Sequence, residues 1–438
     1  MIKISKGLDL PISGTPDPVI SDTPKVTTVS LLGNDFTGMK PTMLVKSGDI
    51  VKRGTKIFED KKNPGVFYTS PAGGIVKEIS RGDRRKFLSI DIEIADDEDH
   101  VEFETSDNIT SLLINSGLWN AFRSRPFNRT PSIDSKPNAI FINACDTNPL
   151  AVDPYFIIKE DLKYFNKGLK ALFENFSCPI HCCYQNSDFD LSVDGINYHQ
   201  FSGPHPSGLT STHINKIYPV NLKRIAWTIG YQDIISIGYL LEHNFLRTHK
   251  YIALAGPSVF NPSLIKARIS GNIDELTAGK LETGSRVISG SVLYGHASEG
   301  VMNYLGFYDS LISAIPDQAN DIFLNWLMPG SKLHSKLNVF ISSFLKPSNF
   351  IFNTSVNGGD RAIVPVGSYD EVLPMDILVP QLLKALVVGD REQAVDLGML
   401  ELAPEDLAVC SYICPSKYDY CSILANNLNE LYLEQWKV

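Results

Sequence analysis

The sequence predicts a multidomain protein of the α/β and α+β classes, on three observations. A chain of 438 residues is too long for one hydrophobic core. Short strands separated by glycine turns fill its first part, and strands alternate with helices after them. The last part of the chain shows helical apolar periodicity. We place four domains at residues 1–100, 101–256, 257–370 and 371–438.

The composition is that of a globular protein in a reducing compartment. Hydrophobic residues make up 43% of the chain, and a net charge of −9 argues against nucleic-acid binding. No run approaches the roughly 20 apolar residues of a membrane span, and the first residues lack a signal peptide's apolar core, so we expect a cytoplasmic location. The cysteines are few and odd in number, which favours reduced thiols. They are Cys145, Cys178, Cys182, Cys183, Cys410, Cys414 and Cys421.

Residues 26–94 predict a flattened barrel of short strands. Turn signals stand at Ser47-Gly48-Asp49 and Arg53-Gly54. The pattern resembles the biotinyl/lipoyl-type barrel-sandwich fold, whose carrier members attach a cofactor to a lysine in a Met-Lys-Met-like context. The corresponding hairpin here carries Lys61-Lys62 without that context. We interpret it as a solvated hairpin rather than an attachment point.

The next segment predicts a doubly wound, Rossmann-like sheet. A helix ends at Gly117, and Ala139–Ala144 is a strand of the buried type. The polar loop Cys145–Pro149 follows that strand, at the usual place for ligand contacts in an open α/β sheet. Gly238 lies on the apolar face of a later helix and permits close packing.

The remaining segments predict a small α+β unit and a helical domain. Tyr251–Gly256 and Arg286–Leu293 have the composition of strands. A later helix stops at Gly389. The last helix carries an apolar face of Leu424, Leu428 and Leu431.

The C-terminal domain carries a degenerate iron–sulfur motif, Cys410-Ser411-Tyr412-Ile413-Cys414-Pro415. The ferredoxin pattern Cys-x2-Cys-x2-Cys-x3-Cys-Pro supplies four thiolates. Cys410 and Cys414 match its last two places, whereas Pro404 and Leu407 stand at the first two. We therefore predict buried thiols in a helical hairpin and no metal cluster.

Other cofactor motifs are missing from the sequence. No Gly-x-Gly-x-x-Gly turn follows a strand of the α/β segment, so backbone amides cannot approach a pyrophosphate closely. Gly279-Lys280 is followed by Leu281 and does not form a Walker A motif. His205 and His213 lie in the Pro- and Gly-rich segment Gly203–Ile214, where hydrogen bonding is a better interpretation than metal ligation.

A set of motifs, in order along nearly the whole chain, resembles the A subunits of the Na+-translocating NADH:quinone oxidoreductases. No single motif carries the resemblance. The motifs are Lys6–Gly14, Leu31-Leu32-Gly33, Asp60–Val66, Ser116–Trp119 with Phe122–Phe127, Asp146–Ala151, Gly203–Ile214, Tyr231-Gln232-Asp233 and Cys410–Tyr420.

The resemblance implies that this chain retains the fold of the wider family and has lost the redox chemistry. The wider family includes the C subunit of the Rnf-type complexes and the NADH-binding subunit of complex I, which use a glycine-rich loop and four cysteines. Gly117 alone remains where that loop would be. The resemblance also implies that the small α+β unit is a β-grasp-like domain of the SLBB type.

By the same resemblance, the chain is a peripheral subunit on the cytoplasmic face of the bacterial inner membrane. It would dock on the membrane-embedded B subunit of a six-subunit pump that couples NADH oxidation and ubiquinone reduction to Na+ export. FMN, FAD, riboflavin and iron–sulfur centres would reside in partner subunits, and the isolated chain would not be catalytic.

A role in binding ubiquinone or menaquinone is expected of this chain. Quinone binding requires an apolar cleft and a few hydrogen-bond donors. The candidate contacts are Phe36, Met39, Phe122 and Phe127, with Arg123 and Arg125 as donors. Packing between domains, or against the membrane partner, is an equally good interpretation of each.

Two other functions stay open on sequence alone. One is a flavin- and cluster-bearing electron-transfer subunit of the Rnf type, against which the missing thiolates and glycines argue. The other is a freestanding binding module without a pump. A flavin or iron–sulfur absorbance spectrum would identify the first, and failure to co-purify with a membrane complex would identify the second.

Overall fold

The structure is a computed structural model of the chain. The residues it describes are 1–104, 108–186, 188–189, 193–317, 329–336, 339–345, 347–359, 361–364 and 367–435. Its strands are β1 (Ile2–Lys3), β2 (Asp17–Asp22), β3 (Thr28–Leu32), β4 (Pro41–Met43), β5 (Ile50–Val51), β6 (Lys56–Asp60), β7 (Phe67–Thr69), β8 (Gly74–Arg81), β9 (Phe87–Ile94), β10 (Arg123–Arg125), β11 (Ala139–Ala144), β12 (Ile180–Tyr184), β13 (Asn197–Ser202), β14 (Ala226–Gly230), β15 (His249–Ala255), β16 (Ser263–Arg268), β17 (Ser285–Ser289), β18 (His296–Ala297) and β19 (Leu311–Pro316).

The α-helices lie mainly in the middle and at the end of the chain. They are α1 (Ile109–Ser116), α2 (Pro154–Glu160), α3 (Leu162–Asn175), α4 (Thr210–Ile217), α5 (Tyr231–His243), α6 (Ile273–Thr277), α7 (Ser342–Leu345), α8 (Ser368–Val372), α9 (Val379–Val388), α10 (Arg391–Asp396), α11 (Ala408–Ile413) and α12 (Tyr420–Gln435).

Two small antiparallel sheets form the barrel-sandwich domain, with strand orders β3-β9-β8-β5 and β4-β6-β7. Ile90 and Ile92 alternate along β9 and are fully buried, as are Ile57 and Phe58 of β6. The hairpin between β6 and β7 exposes Lys61-Lys62, as predicted. The apolar alternation of short strands therefore builds the core of this domain.

A six-stranded sheet in the order β1-β13-β12-β11-β14-β10 forms the α/β domain. Its neighbours from β1 to β14 pair in parallel, and the edge strand β10 runs antiparallel to β14. Strand β11 places Ile140 and Ile142 in the core shared with α3 and α5, and Phe141 in the core shared with α4. Helices on both faces confirm the doubly wound layer.

The third domain is a mixed sheet in the order β18-β17-β19-β15-β16-β2. Ile273 and Leu276 of α6 are buried against Ile252 and Leu254 of β15. The strand predicted at Arg286–Leu293 ends earlier, because Gly290 turns the chain with a φ of 91°.

Three strands pair outside the predicted domain to which each belongs in sequence. Strand β15, placed in the α/β domain by a boundary at residue 256, pairs instead with β16 and β19 of the third domain. The N-terminus does not belong to the barrel, because β1 pairs with β13 of the α/β sheet and β2 pairs with β16. These partners are distant in sequence, so local patterns do not reveal them.

Helices α8 to α12 form the C-terminal helical domain around one apolar core. Helix α9 ends at Gly389, whose φ is 75°, as the sequence predicts. Leu424 and Leu428 of α12 are buried against this core, and Leu431 packs at its edge. Among the helices of the described residues, none is both long and apolar enough to cross a membrane.

Candidate functional site

A cavity of about 160 Å³ opens at the carboxyl edge of the α/β sheet. The chain leaves β11 toward β12 and β13 on one side, and returns to pair β14 on the other. Ligands bind outside the strand ends at such a switch of strand order. The loop after β11 contributes Cys145, Asp146 and Asn148 to the lining, so the predicted ligand-contact loop faces the cavity.

The segment Gly203–Ile214 forms a second wall through Gly208, Leu209 and Thr210. His205 Nδ1 lies 3.3 Å from the Thr147 hydroxyl, and His213 Nε2 lies 2.9 Å from the Ser207 carbonyl oxygen. Burial lowers the pKa of His205 to about 4 and that of His213 to about 3, so both rings are neutral at physiological pH. These contacts confirm the hydrogen-bonding role.

Charged groups from three elements line the cavity. Arg123 comes from β10, Asp233 from the first turn of α5, and Lys250 from β15. Burial raises the pKa of Asp233 to about 6, against the opposing charges of Lys250 and Arg123, and burial lowers the pKa of Lys250. The site therefore holds a carboxyl group that can exchange a proton near neutral pH.

A second cavity of about 80 Å³ lies where the first three domains meet. Its walls include Leu31 of β3, Leu118 after α1 and Ile269 after β16. Four residues line both cavities: Gln232, Asp233, Lys250 and Phe307. The two spaces therefore form one elongated region, with a charged part and a more apolar part.

Two of the predicted quinone contacts meet beside this region. The Phe36 ring centroid lies 5.4 Å from that of Phe307 and 6.1 Å from that of Tyr308. The Arg123 guanidinium lies over the Tyr308 ring, with its Cζ 4.7 Å from the ring centroid. Met39 is partly buried against the same core cluster as Phe36.

The other three candidates lie elsewhere. Phe122 is fully buried, with Trp119 and Trp227 as ring neighbours at 5.6 and 5.5 Å. Arg125 and Phe127 contact the helical domain instead of the cavities. Arg125 donates hydrogen bonds to the Ser211 hydroxyl (2.7 Å) and the Glu401 carbonyl (3.1 Å), and the Phe127 ring lies 5.2 Å from that of Tyr432. The structure does not bring the six candidates into one pocket.

Sequence reasoning missed Lys250, Phe307, Tyr308 and Asp309. The lone Lys250 within an apolar strand, and the aromatic pair between Gly306 and Asp309, were the available signals. Neither was decisive, because their meeting depends on contacts between β15, the loop before β19 and the barrel-sandwich domain.

The cysteines of the degenerate motif lie in the core of the helical domain. Cys410 and Cys414 are fully buried, which confirms the prediction of buried thiols. Burial would raise the pKa of Cys414, but the neighbouring hydroxyls of Tyr369 and Tyr420 and nearby backbone amides lower it; the Tyr420 hydroxyl lies 3.4 Å from the sulfur. Leu407, at a position where a cluster requires a thiolate, is also fully buried. These residues do not fit a four-thiolate cluster.

Family models match three consecutive regions of the chain. Residues 2–95 match the NqrA N-terminal barrel-sandwich hybrid domain, and residues 104–246 match the NqrA second alpha/beta domain. Residues 251–300 match the NQRA C-terminal domain, a model of the SLBB type. The fold and these matches define a class of protein with barrel-sandwich, α/β and SLBB domains, as predicted.

Similarity to curated proteins extends over almost the entire chain. The A subunit of a Na(+)-translocating NADH-quinone reductase from Neisseria meningitidis serogroup B is 45% identical, covering 98% of this chain and 99% of the relative. The A subunits of the same name from Neisseria gonorrhoeae and Yersinia pseudotuberculosis are each 44% identical, with the same coverage. The chain belongs to the family of the A subunits of Na(+)-translocating NADH-quinone reductases.

Proposed function

We propose that this chain acts within an enzyme complex that oxidises NADH, reduces quinone and exports Na+. The observation that carries the proposal is the 45% identity to a curated A subunit across 98% of the chain. The isolated chain is not catalytic in this proposal.

The proposed location is the cytoplasmic face of the inner membrane. The chain would dock there on the membrane-embedded B subunit, in an assembly of six different chains. The order and extent of the family motifs support this assignment, since they run from Lys6 to Tyr420.

We further propose that this chain binds no redox cofactor of its own. FMN, FAD, riboflavin and iron–sulfur centres would belong to partner subunits. Two features support this: Pro404 and Leu407 replace two of the four thiolates, and the α/β segment has no glycine-rich phosphate loop.

Purification of an affinity-tagged full chain, expressed in the organism that naturally produces it, tests the assignment. We expect membrane subunits to co-purify, and the purified complex to reduce quinone with NADH at a rate that depends on Na+. A chain recovered alone from solubilised membranes would contradict the proposal. Flavin or iron–sulfur absorbance in the separated chain would support the Rnf-type alternative.

Within the complex, we propose that ubiquinone or menaquinone contacts the elongated region at the domain junction. Phe36 and Met39 would supply apolar contact, and Arg123 would donate a hydrogen bond to a quinone carbonyl. The closeness of Phe36 and Arg123 to Tyr308 supports this choice among the six candidates.

Replacing Arg123 tests the quinone contact. We expect Arg123→Gln to weaken binding of a short-chain ubiquinone about fivefold, since one hydrogen bond contributes about 1 kcal/mol. Titration of the full chain by calorimetry measures this. Phe127→Leu is the matched control from the same segment and leaves the affinity unchanged, because Phe127 packs on Tyr432. Equal affinities in all three proteins would contradict the assignment.

A further inference from the structure

The loop Gly306–Asp309 lies beside both cavities, and Phe307 belongs to the lining of both, together with Gln232, Asp233 and Lys250. Phe307 is only partly buried. The contacts that hold the loop therefore set the position of Phe307 between the apolar part and the charged part of the region.

Two domains hold the backbone of this loop, one through a carboxyl group and the other through an ammonium group. From the barrel-sandwich domain, Asp35 Oδ2 accepts a hydrogen bond from the Phe307 amide at 2.8 Å. From β15, Lys250 Nζ donates to the carbonyl oxygens of Gly306 (3.1 Å) and Phe307 (3.0 Å). The loop is thus fixed through its backbone, by one carboxyl group and one ammonium group.

Asp309, on the same loop, faces Asp35 across Gly306. A Cβ placed on Gly306 would lie 2.3 Å from Asp309 Oδ2 and 3.5 Å from Asp35 Oδ1. Asp309 accepts a hydrogen bond of 2.6 Å from the Ser289 hydroxyl, which in turn accepts one of 2.9 Å from the Gly306 amide. Two partly buried carboxyl groups, one on each side of the contact, therefore lie close to each other.

Each element packed around Asp35 contributes to its electrostatic surroundings. The loop contributes Asp309 and Tyr308, and β15 contributes Lys250. Asp233 of α5 faces Lys250, and Arg123 of β10 faces Asp233 and Tyr308. Burial, followed by the charge of Asp309, raises the pKa of Asp35 to about 7.

We propose that the loop Gly306–Asp309 is a proton-controlled gate between the two cavities, closed when Asp35 is protonated and loosened when Asp35 ionises. Ionised Asp35 repels Asp309 and is poorly solvated, and opening relieves both costs because it admits water and separates the two carboxylates. The closed loop binds the proton more tightly than the open loop does. The equilibrium therefore shifts toward opening as the pH rises from the ordinary pKa of an aspartate to the raised pKa of Asp35 in the closed state, and it is constant above that pKa.

The inference deepens the proposed function, on which it rests for the identity of the ligand that passes the gate. The gate itself can be tested without quinone. Amide hydrogen exchange of the full chain is followed by mass spectrometry in peptides covering residues 305–310. The protection of these amides against exchange, corrected for the intrinsic exchange rate at each pH, reports the fraction of molecules in which the loop is open.

In the unmodified chain, we expect protection of this segment to be greatest below about pH 4, to fall by up to about tenfold per pH unit between about pH 4 and pH 7, and to be constant above pH 7. Asp35→Asn removes the titrating group and gives a profile that does not change with pH. Asp83→Asn, the same chemical change at an exposed turn of the same domain, keeps the wild-type profile.

Asp309→Asn supplies a second variant, in case Asp35→Asn disturbs folding. Loss of the Asp309 charge lowers the pKa of Asp35 in the closed state, so we expect the fall in protection to end at a lower pH and to be smaller than in the unmodified chain. A fall that extends to higher pH would mean that the Asp309 charge assists closing, and would contradict the proposal. A flat profile in the unmodified chain, or an unchanged fall in Asp35→Asn, overturns the gate. Failure of quinone to bind while these profiles hold would instead refute only the quinone proposal.

Discussion

At the scale of single residues, Glu98 lies in a largely buried cluster of charges between domains. Its carboxylate accepts hydrogen bonds from Arg268 Nη1 and Nη2 at 2.9 and 2.5 Å, and from Arg53 Nη1 at 3.1 Å. The side chains of Arg53 and Arg268 are 7% and 8% exposed. Burial would raise the pKa of Glu98, but the hydrogen bonds and charge of Arg268, with smaller contributions from Gly73 and Arg53, lower it. Glu98 thus neutralises two cations that water hardly reaches.

We predict that Glu98→Gln lowers the free energy of unfolding by about 3 kcal/mol, because it leaves buried cations without a counter-charge. Urea unfolding at pH 7 measures the loss. Asp99→Asn is the adjacent control: its partner Lys52 and Asp99 itself are more than half exposed, so the change should cost much less stability than Glu98→Gln. Because the pKa of Glu98 is lowered on folding, its contribution is present at neutral pH and lost as the pH falls through its folded pKa. Equal losses in both variants would refute this account.

At the scale of elements, two glycines allow helices α3 and α5 to approach through their backbones. A Cβ on Gly238 would lie 1.8 Å from the Tyr164 carbonyl oxygen and 3.0 Å from the Gly168 amide nitrogen. A Cβ on Gly168 would lie 2.3 Å from the Ile234 carbonyl oxygen. The close packing predicted for Gly238 is confirmed, although its partner helix was not identifiable from the sequence.

We predict that Gly238→Ala destabilises the α/β domain by more than about 2 kcal/mol, since the cost of separating two helix backbones exceeds the roughly 1 kcal/mol by which alanine favours a helix. Tryptophan fluorescence during urea unfolding includes the unfolding of this domain, because two of the four tryptophans, Trp119 and Trp227, are buried 5.3 Å apart in it. Gly359→Ala, with no atom within 4 Å of its Cβ, serves as the control. A Gly238→Ala protein as stable as this control would contradict the packing argument.

At the scale of the whole molecule, the segment from Arg125 to Arg129 forms contacts between the helical domain and the α/β domain. Besides the contacts of Arg125 and Phe127, Arg129 Nη2 donates a hydrogen bond of 2.5 Å to Asn429 of α12. The Arg129 guanidinium also lies over the Tyr432 ring, with its Cζ 4.0 Å from the centroid. Arg125 and Phe127, which were predicted to contact quinone, therefore lie in an interface between domains. Packing between domains was the alternative interpretation of these two residues.

We predict that Arg125→Gln loosens this interface without unfolding either domain. The fully buried guanidinium would lose its hydrogen bonds to Ser211 and Glu401, and α4 would separate more easily from the helical domain. Hydrogen exchange should rise severalfold in peptides from residues 399–413 while α5 stays protected. Arg224→Gln, an exposed arginine of the same α/β domain, should change neither region. Faster exchange throughout the chain would indicate general destabilisation instead.

The sequence by itself determined the classes of the domains, the solvated hairpin at Lys61-Lys62, the strand and polar loop around Cys145, and the buried thiols Cys410 and Cys414. These features depend on local apolar periodicity, turn residues and motif spacing, which act over a few neighbouring positions. The set of motifs that resembles the A subunits also indicated the family from the sequence.

The tertiary structure alone decided which distant residues meet. It placed β1 in the α/β sheet and β2 in the third domain, brought Asp35 to the amide of Phe307, and turned Arg125 toward Glu401. Each of these contacts joins segments more than 190 residues apart, and their geometry is set by how whole domains pack. No local pattern encodes such a distance, because the energy of the contact appears only when both domains have folded.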